Sequence, residues 1–463
     1  MRTLQKIGLV TAIIILIGMH FLPAGEFLPV AARNMLGVLL AVIVLLVTEV
    51  FPLGATCLAA LSMMVIFGCV DSIAEAAAGY TNKVLYFVVA SFGISEALTA
   101  VPASKRMLVG LMTAFGQNIR RLLFAIMLCV ALLSSVISNV AAAAVFIPII
   151  MKFLDVYEDE AERKRTARCF MIALPIASMI GGMMTPAGSS INMLAIGLLQ
   201  KNAGITVTFV EWMLIGIPLC AALLPFSWLM CCRVYRPAPL AQSKISAYLE
   251  TIRIHGKMEV KEIYVLTLVF IMLVLWILSS WYPVLDITMV ALIGLLLFFV
   301  PGFEVLTWTQ FKNCVSWEAF FLIGTMISIG SAITSTGLSV WLANAIFPSA
   351  FPNSGILLAG FVALITFVLL IPIPVAPALV SMLVAPLISF STNIGAAPYM
   401  LVVTLGLCAG NCYFLPLDTV PLMTFSTGTY KMFDMPRVTV VIQLTMVILS
   451  ALWIPLICSW LGV

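Results

Sequence analysis

Ser134-Ser135-Val136-Ile137-Ser138-Asn139-Val140 interrupts an apolar segment that runs from 119 to 152. The arm beyond the interruption offers only about a dozen residues, whereas a helix that crosses a ~30 Å hydrocarbon core needs about 20. A chain that enters an apolar phase and runs out before the far side has to turn back, because backbone left without hydrogen bonds in lipid costs several kcal/mol per group. The segment is therefore read as a re-entrant hairpin with those polar residues at its tip. A second segment, 353–390, repeats the form, with Pro372-Ile373-Pro374-Val375-Ala376-Pro377 at its tip.

Around the hairpins lie apolar runs near 7–24, 31–50, 53–70, 84–101, 169–200, 211–232, 263–281, 286–301, 317–335, 398–429 and 438–460. Each is read as a crossing, so the expected fold is an all-α polytopic membrane protein with eleven transmembrane helices and two re-entrant hairpins. Composition agrees: 63% of the 463 residues are apolar and 9% charged, against roughly 25% charged in soluble domains. A soluble chain is excluded, and a lipid bilayer is the expected surroundings. The net charge of +4 reports basic loops and does not suggest nucleic acid. Eleven cysteines sit singly in apolar runs, except for Cys231 and Cys232, and read as small packing residues. The segment from Ile7 to Leu22, preceded by Arg2 and Lys6, has the outline of a signal peptide but reads as a retained first span.

Charge placement orients the chain. With the N-terminus cytoplasmic, every one of the 23 Lys and Arg except Arg33, Lys83 and Lys201 falls on the cytoplasmic side. Counting the first hairpin as a crossing would put the basic loops 102–121 and 152–168 on opposite sides. The run from Asp155 to Arg168 reads as a solvated cytoplasmic connection. The polar stretch from Arg233 to Glu262 reads as a cytoplasmic linker between two halves.

Those halves resemble each other. Ser95-Glu96-Ala97-Leu98-Thr99 precedes a short segment and a hairpin, as does Gly330-Ser331-Ala332-Ile333-Thr334; Pro148 then answers to Pro386, and Pro186 to Pro416. The expected organisation is a first span at 1–30, an inverted repeat at 31–235 holding hairpin 119–152, a linker at 236–262, and a second repeat at 263–463 holding hairpin 353–390. Such repeats are common among secondary transporters.

Chemistry is expected at the breaks. Thr185-Pro186-Ala187-Gly188-Ser189-Ser190-Ile191-Asn192 splits the span 169–200, and Leu415-Pro416-Leu417-Asp418-Thr419-Val420-Pro421 splits the span 398–429. Ser134 and Ser138 are four apart, so their hydroxyls share a face while that arm stays helical, beside Asn139 and carbonyls freed at the helix end. Hard oxygen atoms of this kind suit Na⁺. The helix that restarts after Gly188 aims its N-terminal amides, with Ser189 and Ser190 as caps, at the same space, where they suit an anion. Asp418 is the sole charge between Glu318 and Lys431. A carboxylate in the bilayer costs about 2.5–3.5 kcal/mol on insertion scales, so it should be protonated or bound to a cation. Glu49 is expected in a turn or cap, Glu96 and Glu318 as interfacial anchors, and His20 and His255 as neither ligand nor base. An anion channel would show a basic stripe along several spans, and an intramembrane enzyme a nucleophile with His, an Asp pair or a metal motif; neither is present, and nothing calls for an organic cofactor.

These motifs resemble the divalent-anion:sodium symporter family, which includes sodium-coupled dicarboxylate and citrate carriers. Ser138-Asn139-Val140 with Ile147-Pro148-Ile149 resembles that family's Ser-Asn-Thr hairpin and downstream Pro. Thr185-Pro186-Ala187-Gly188-Ser189 resembles its Thr-Pro-Ile-Gly-Thr break, Thr48-Glu49-Val50-Phe51-Pro52 its Thr-Glu-Ala-Ile-Pro stretch, and Thr336-Gly337-Leu338 its Thr-Gly-Leu. Val140 stands where Thr is usual, and Ala376-Pro377-Ala378 holds the place of a second Ser-Asn-Thr. The resemblance implies a homodimer that carries a small organic anion, a di- or tricarboxylate, by an elevator motion. It would sit in a bacterial inner membrane and be coupled to Na⁺, with Asp418 taking a second cation or H⁺. Substrate contacts are then expected at Ser138, Asn139, Val140, Ser189, Ser190, Asp418 and Thr419, and Na⁺ ligands at Ser134, Ser138, Asn139, Gly188 and Asp418. An anion exchanger and a sulfate-type permease remain open as alternatives.

Overall fold

The computed structural model describes residues 3–22, 28–115, 118–282, 284–303, 305–348, 351–352 and 354–462. Expected boundaries at positions 23–24 and 353 lie outside the described residues. The described chain is all-helical, without a strand. Helices α1 (Thr3–Phe21), α2 (Val30–Val47), α3 (Leu53–Ile66) and the short α4 (Ile73–Ala76) lead into a first series. That series is α5 (Lys83–Thr99), α6 (Ala103–Phe115), α7 (Ile119–Ser134), α8 (Asn139–Leu154), α9 (Glu160–Gly182), α10 (Ser190–Ala203) and α11 (Phe209–Tyr235). Four helices follow: α12 (Gln242–Ile252), α13 (Val260–Leu278), α14 (Ile287–Leu297) and α15 (Trp308–Cys314). A second series then runs α16 (Trp317–Ser335), α17 (Leu338–Ile346), α18 (Gly355–Leu369), α19 (Ala376–Asn393), α20 (Pro398–Ala409), α21 (Thr419–Phe425) and α22 (Pro436–Leu461).

Both series have the same order: a long helix, a shorter one, two arms of a hairpin, a helix pair split by a break, and a closing long helix. In the first, α7 and α8 pack on α9; in the second, α18 and α19 pack on α20. The segment after each break crosses over, α10 lying against α19 and α20, and α21 against α8 and α9. The crossing brings all four interruptions to one place.

Glycine makes the closest of these approaches. A Cβ on Gly181 of α9 would lie 2.3 Å from the Cα and carbonyl oxygen of Ala131, so α7 and α9 meet backbone to backbone. Small residues serve this purpose where lipid removes the hydrophobic drive for helix association.

Several expected lengths change. Among the described residues, six helices are individually long and apolar enough to cross a membrane, namely α2, α11, α13, α16, α19 and α22. A seventh arises if α5 and α6, bent by 64° to one another, count as one span. Others are shorter than a crossing, with 14 residues in α3, 11 in α14 and 12 in α20. The second hairpin arms are longer than a dozen residues, at 16 in α8 and 18 in α19. Polar residues do not end α19 at Phe390, because the hydroxyls of Ser391 and Thr392 both donate back to the Ile388 carbonyl and are satisfied within the helix.

Most of the Asp155–Arg168 run is helix rather than plain connection: Asp159 caps α9 by accepting from the Ala161 N–H, and α9 begins at Glu160. The linker likewise contains α12, which buries Ile245, Tyr248, Leu249 and Ile252 and whose Tyr248 hydroxyl donates to the Ile149 carbonyl of α8. Lys244 of α12 meets exposed Glu158 at 2.7 Å, and this hydrogen bond and charge hold the Glu158 carboxyl below its ordinary range. At the end of the linker, Arg106 of α6 reaches the Glu262 carboxylate at 2.9 Å, with side chains only 20% and 2% exposed.

Candidate functional site

The helix of the first hairpin arm stops at Ser134, and Ser138 is already extended, with φ −61° and ψ 145°, as the cap of α8. The shared helical face expected for Ser134 and Ser138 therefore does not exist. The Ser138 hydroxyl accepts from the Ala141 N–H, and its own backbone N–H donates to Ser95 Oγ of α5 at 3.1 Å. Ser134 lies fully buried beneath, its hydroxyl donating to Asn139 Oδ1 at 2.6 Å. Ser178 of α9 donates to the Asn139 carbonyl at 2.7 Å and fixes the start of α8 from below.

The second break closes on the first. Thr185 donates from its hydroxyl to the Ser135 carbonyl and accepts from the Gly188 N–H at 3.1 Å. Asn192 donates to the carbonyls of Gly182 and Thr185 at 2.8 and 2.9 Å. A Cβ on Gly188 would lie 2.5 Å from the Gly182 oxygen and 2.8 Å from the Ser134 oxygen, and one on Gly182 would lie 2.1 Å from Asn139 Oδ1. Backbone carbonyls and an amide oxygen thus crowd the space that a side chain would fill. The α10 helix then starts with Ser189 as its cap, accepting from the Ile191 N–H, while Ser190 is its first residue rather than a cap.

In the second series the break begins earlier than expected, at Gly410, and ends with Asp418 as the cap of α21. Asp418 accepts one long bond, 3.4 Å, from the Val420 N–H. Asn411 donates to the Leu407 carbonyl, but its Oδ1 is buried without a hydrogen-bond partner among the described residues.

One cavity of about 950 Å³ joins these parts. It is lined by Ser138, Asn139, Val140, Gly188, Ser189, Ser190, Asp418 and Thr419, and by Pro374 to Pro377 of the second hairpin tip. Of the expected site residues, Ser134 alone stands outside the lining. The N-termini of α8 and α10 turn partial positive charge toward this space. The second hairpin offers less: α19 starts without a side-chain cap and carries Pro377, which has no N–H, in its first turn.

Glu49, Glu96 and Glu318, expected in turns and at interfaces, line the same cavity together with Ser95 and Cys314. Glu49 also has a left-handed φ of 48°, an uncommon conformation for a side-chain-bearing residue. Three intramembrane-edge carboxylates in one sequence were the available signal, since ionisable residues near spans are expensive and usually have a use. Ser178 carried no signal, being a lone hydroxyl inside an apolar helix, whereas Ser95 stands in a row with Ser91 and Thr99, four residues apart on α5, and all three line the cavity. His20 packs against Phe21 and Phe67, and His255 meets Glu250 at 2.9 Å.

Over residues 4–463 the chain matches the family model described as the sodium:sulfate symporter transmembrane region. It is 25% identical over 422 residues to the sodium-dependent dicarboxylate transporter SdcS of Staphylococcus saprophyticus, covering 85% of this chain and 79% of that one. It is 24% identical over 483 residues to a membrane protein of Cupriavidus necator, covering 98% and 93%. Among solved structures, Neisseria gonorrhoeae MtrF, described as illuminating a class of antimetabolite efflux pumps, superposes with a TM-score of 0.58 at 12% identity, covering 98% of this chain and 97% of that one. That last likeness is one of fold alone.

Proposed function

The chain belongs to the sodium:sulfate symporter family, and from that premise we propose that it is a sodium-coupled secondary transporter of small organic anions. The class is that of di- and tricarboxylates, which the likeness to a sodium-dependent dicarboxylate transporter supports. The observation that carries the reading is the convergence of four interrupted helices on one cavity, where hydroxyl, amide and carbonyl oxygens lie beside helix N-termini. Clusters of hydroxyl, amide and carbonyl oxygens suit a hard cation, and helix N-termini suit an anion.

Na⁺ is cargo here. It sits in the pocket bounded by Ser134, Ser138, Asn139, Gly182 and Gly188, with Asp418 taking a second cation, Na⁺ or H⁺. The carboxylate of the substrate meets the amides and hydroxyls at Ser138, Asn139, Val140, Ser189 and Ser190, near Thr419. Coupling follows from charge: moving a dianion into a negative-inside cell opposes ~2.3 kcal/mol per charge per 100 mV, which co-transported cations offset.

The matched order of the two helix series supports inverted repeats at 31–235 and 263–463. Eleven spans with two re-entrant hairpins, an N-terminus in the cytoplasm, a homodimer in the bacterial inner membrane and an elevator motion of the site complete the proposal. Uptake into proteoliposomes tests it, using labelled succinate, malate, tartrate, citrate and sulfate with and without an inward sodium or proton gradient. Sodium-driven accumulation of at least one carboxylate is the expected result. Exchange without a gradient would make the protein an exchanger, and failure of every small anion to accumulate or exchange would end the proposal.

A further inference from the structure

Two of the three hydroxyls in the α5 row are spent inside their own helix. Ser91 donates to the Val88 carbonyl at 2.7 Å, and Thr99 donates to the Glu96 carbonyl at 3.0 Å. Ser95, between them and only 3% exposed, instead accepts the backbone N–H of Ser138 at 3.1 Å. Its oxygen ties α5 to the first hairpin tip.

Each side of that bond is held independently of the other. α5 is fixed by partners outside the hairpin: Lys83 meets Asp286 of α14 at 2.9 Å, and the Cys314 Sγ of α15 donates to the Phe92 carbonyl at 3.7 Å. A Cβ on Gly93 would lie 2.3 Å from the Leu295 side chain, so α5 and α14 are in close contact there. The hairpin packs on α9, where Ser178 donates to the Asn139 carbonyl. Ser95 therefore links two assemblies that do not need it for their own packing.

The N–H that Ser95 occupies is also one of the donors proposed above for the substrate carboxylate. Hydrogen bonds to an ionised acceptor are roughly twice as strong as neutral ones, and both Ser95 and Ser138 line the cavity. A carboxylate arriving at the tip displaces the Ser95 hydroxyl. A bond between α5 and the hairpin is then exchanged for a bond between the hairpin and its substrate.

We propose that Ser95 is a positioning residue that acts through Ser138, holding the first hairpin tip to α5 until the substrate carboxylate takes the Ser138 N–H and frees the tip. This rests on the transporter reading and adds to it a residue that competes with substrate. Such a competitor has an effect opposite in sign to that of a structural support. Removing it tightens substrate binding, whereas removing a support weakens it.

Sodium-driven uptake into proteoliposomes, titrated with the best transported carboxylate at saturating sodium, tests the proposal. For Ser95→Ala the half-saturating substrate concentration is expected to fall about threefold or more, the weight of one competing neutral hydrogen bond. Ser95→Thr, which keeps the hydroxyl, is expected to stay within about twofold of wild type. Monodispersity on size-exclusion chromatography establishes that each variant folds. A misfolded Ser95→Thr leaves Ser95→Ala to decide by the direction of its shift, and a misfolded Ser95→Ala overturns the proposal by making the bond structural. A half-saturating concentration that is unchanged or raised in Ser95→Ala, or lowered equally in Ser95→Thr, also overturns it while leaving the transporter reading intact. Absence of sodium-driven uptake of every small anion by the wild-type chain overturns the transporter reading itself.

Discussion

Asn139 ties the first hairpin tip to α7 and α9. It begins α8, receives hydrogen bonds from Ser134 on its side-chain oxygen and from Ser178 on its carbonyl, and lies where Gly182 leaves room for it. Replacing Asn139 with Ala removes an oxygen from the proposed cation pocket; a charge-assisted contact is worth ~1.5–3 kcal/mol, so the sodium concentration for half-maximal uptake should rise about tenfold or more. Titrating sodium against uptake in proteoliposomes measures this. Gly188→Ala should have a related effect, since its Cβ would fall 2.5 Å from the Gly182 carbonyl oxygen and force the pocket open; the expected reading is a large rise in the half-saturating sodium concentration. Residues of this kind were legible in sequence, because Ser, Asn, Pro and Gly clustered inside apolar runs contradict the demand for satisfied backbone. Ser178 was not, because a lone serine in a membrane helix ordinarily bonds to its own helix. Glu49, Glu96 and Glu318 were visible as charges near span ends, and only the fold brings them to one cavity.

At the scale of elements, breaks were easier to read than lengths. Proline and glycine mark where a helix must stop, but nothing local states how far a polar residue can be carried before it does. The α19 helix, held past Ser391 and Thr392 by hydroxyls bonded back to the Ile388 carbonyl, is one example. The α12 helix is another, since its apolar face becomes meaningful only when α8 supplies the Ile149 carbonyl and surface beneath it. The backbone contact between α7 and α9 carries a prediction of its own. Gly181→Val adds volume where Ala131 leaves none, and overpacking of this sort costs about 1–3 kcal/mol, so the thermal midpoint of the detergent-solubilised protein should fall. The link between α6 and α13 carries another. Removing one partner of a buried ion pair costs about 3–5 kcal/mol, so Arg106→Ala should lower the same midpoint, and adding Glu262→Leu should restore much of it by removing the charge left unpaired.

For the whole molecule, two series of helices in the same order exchange their post-break segments, so the site belongs to neither series alone. This explains why a sequence reading finds the four breaks separately and can only expect them to meet. The central claim is that the resulting cavity binds Na⁺ and a carboxylate-bearing substrate together. Val140 sits on its wall with 36% of its surface exposed, and every cysteine other than the half-buried Cys314 is buried. The decisive measurement is the alkylation rate of Val140→Cys in a Cys314→Ser background, with a polar maleimide, as sodium and the best transported carboxylate are added singly and together. Protection that is strong only when both are present is the predicted result, and a rate indifferent to either would contradict the account.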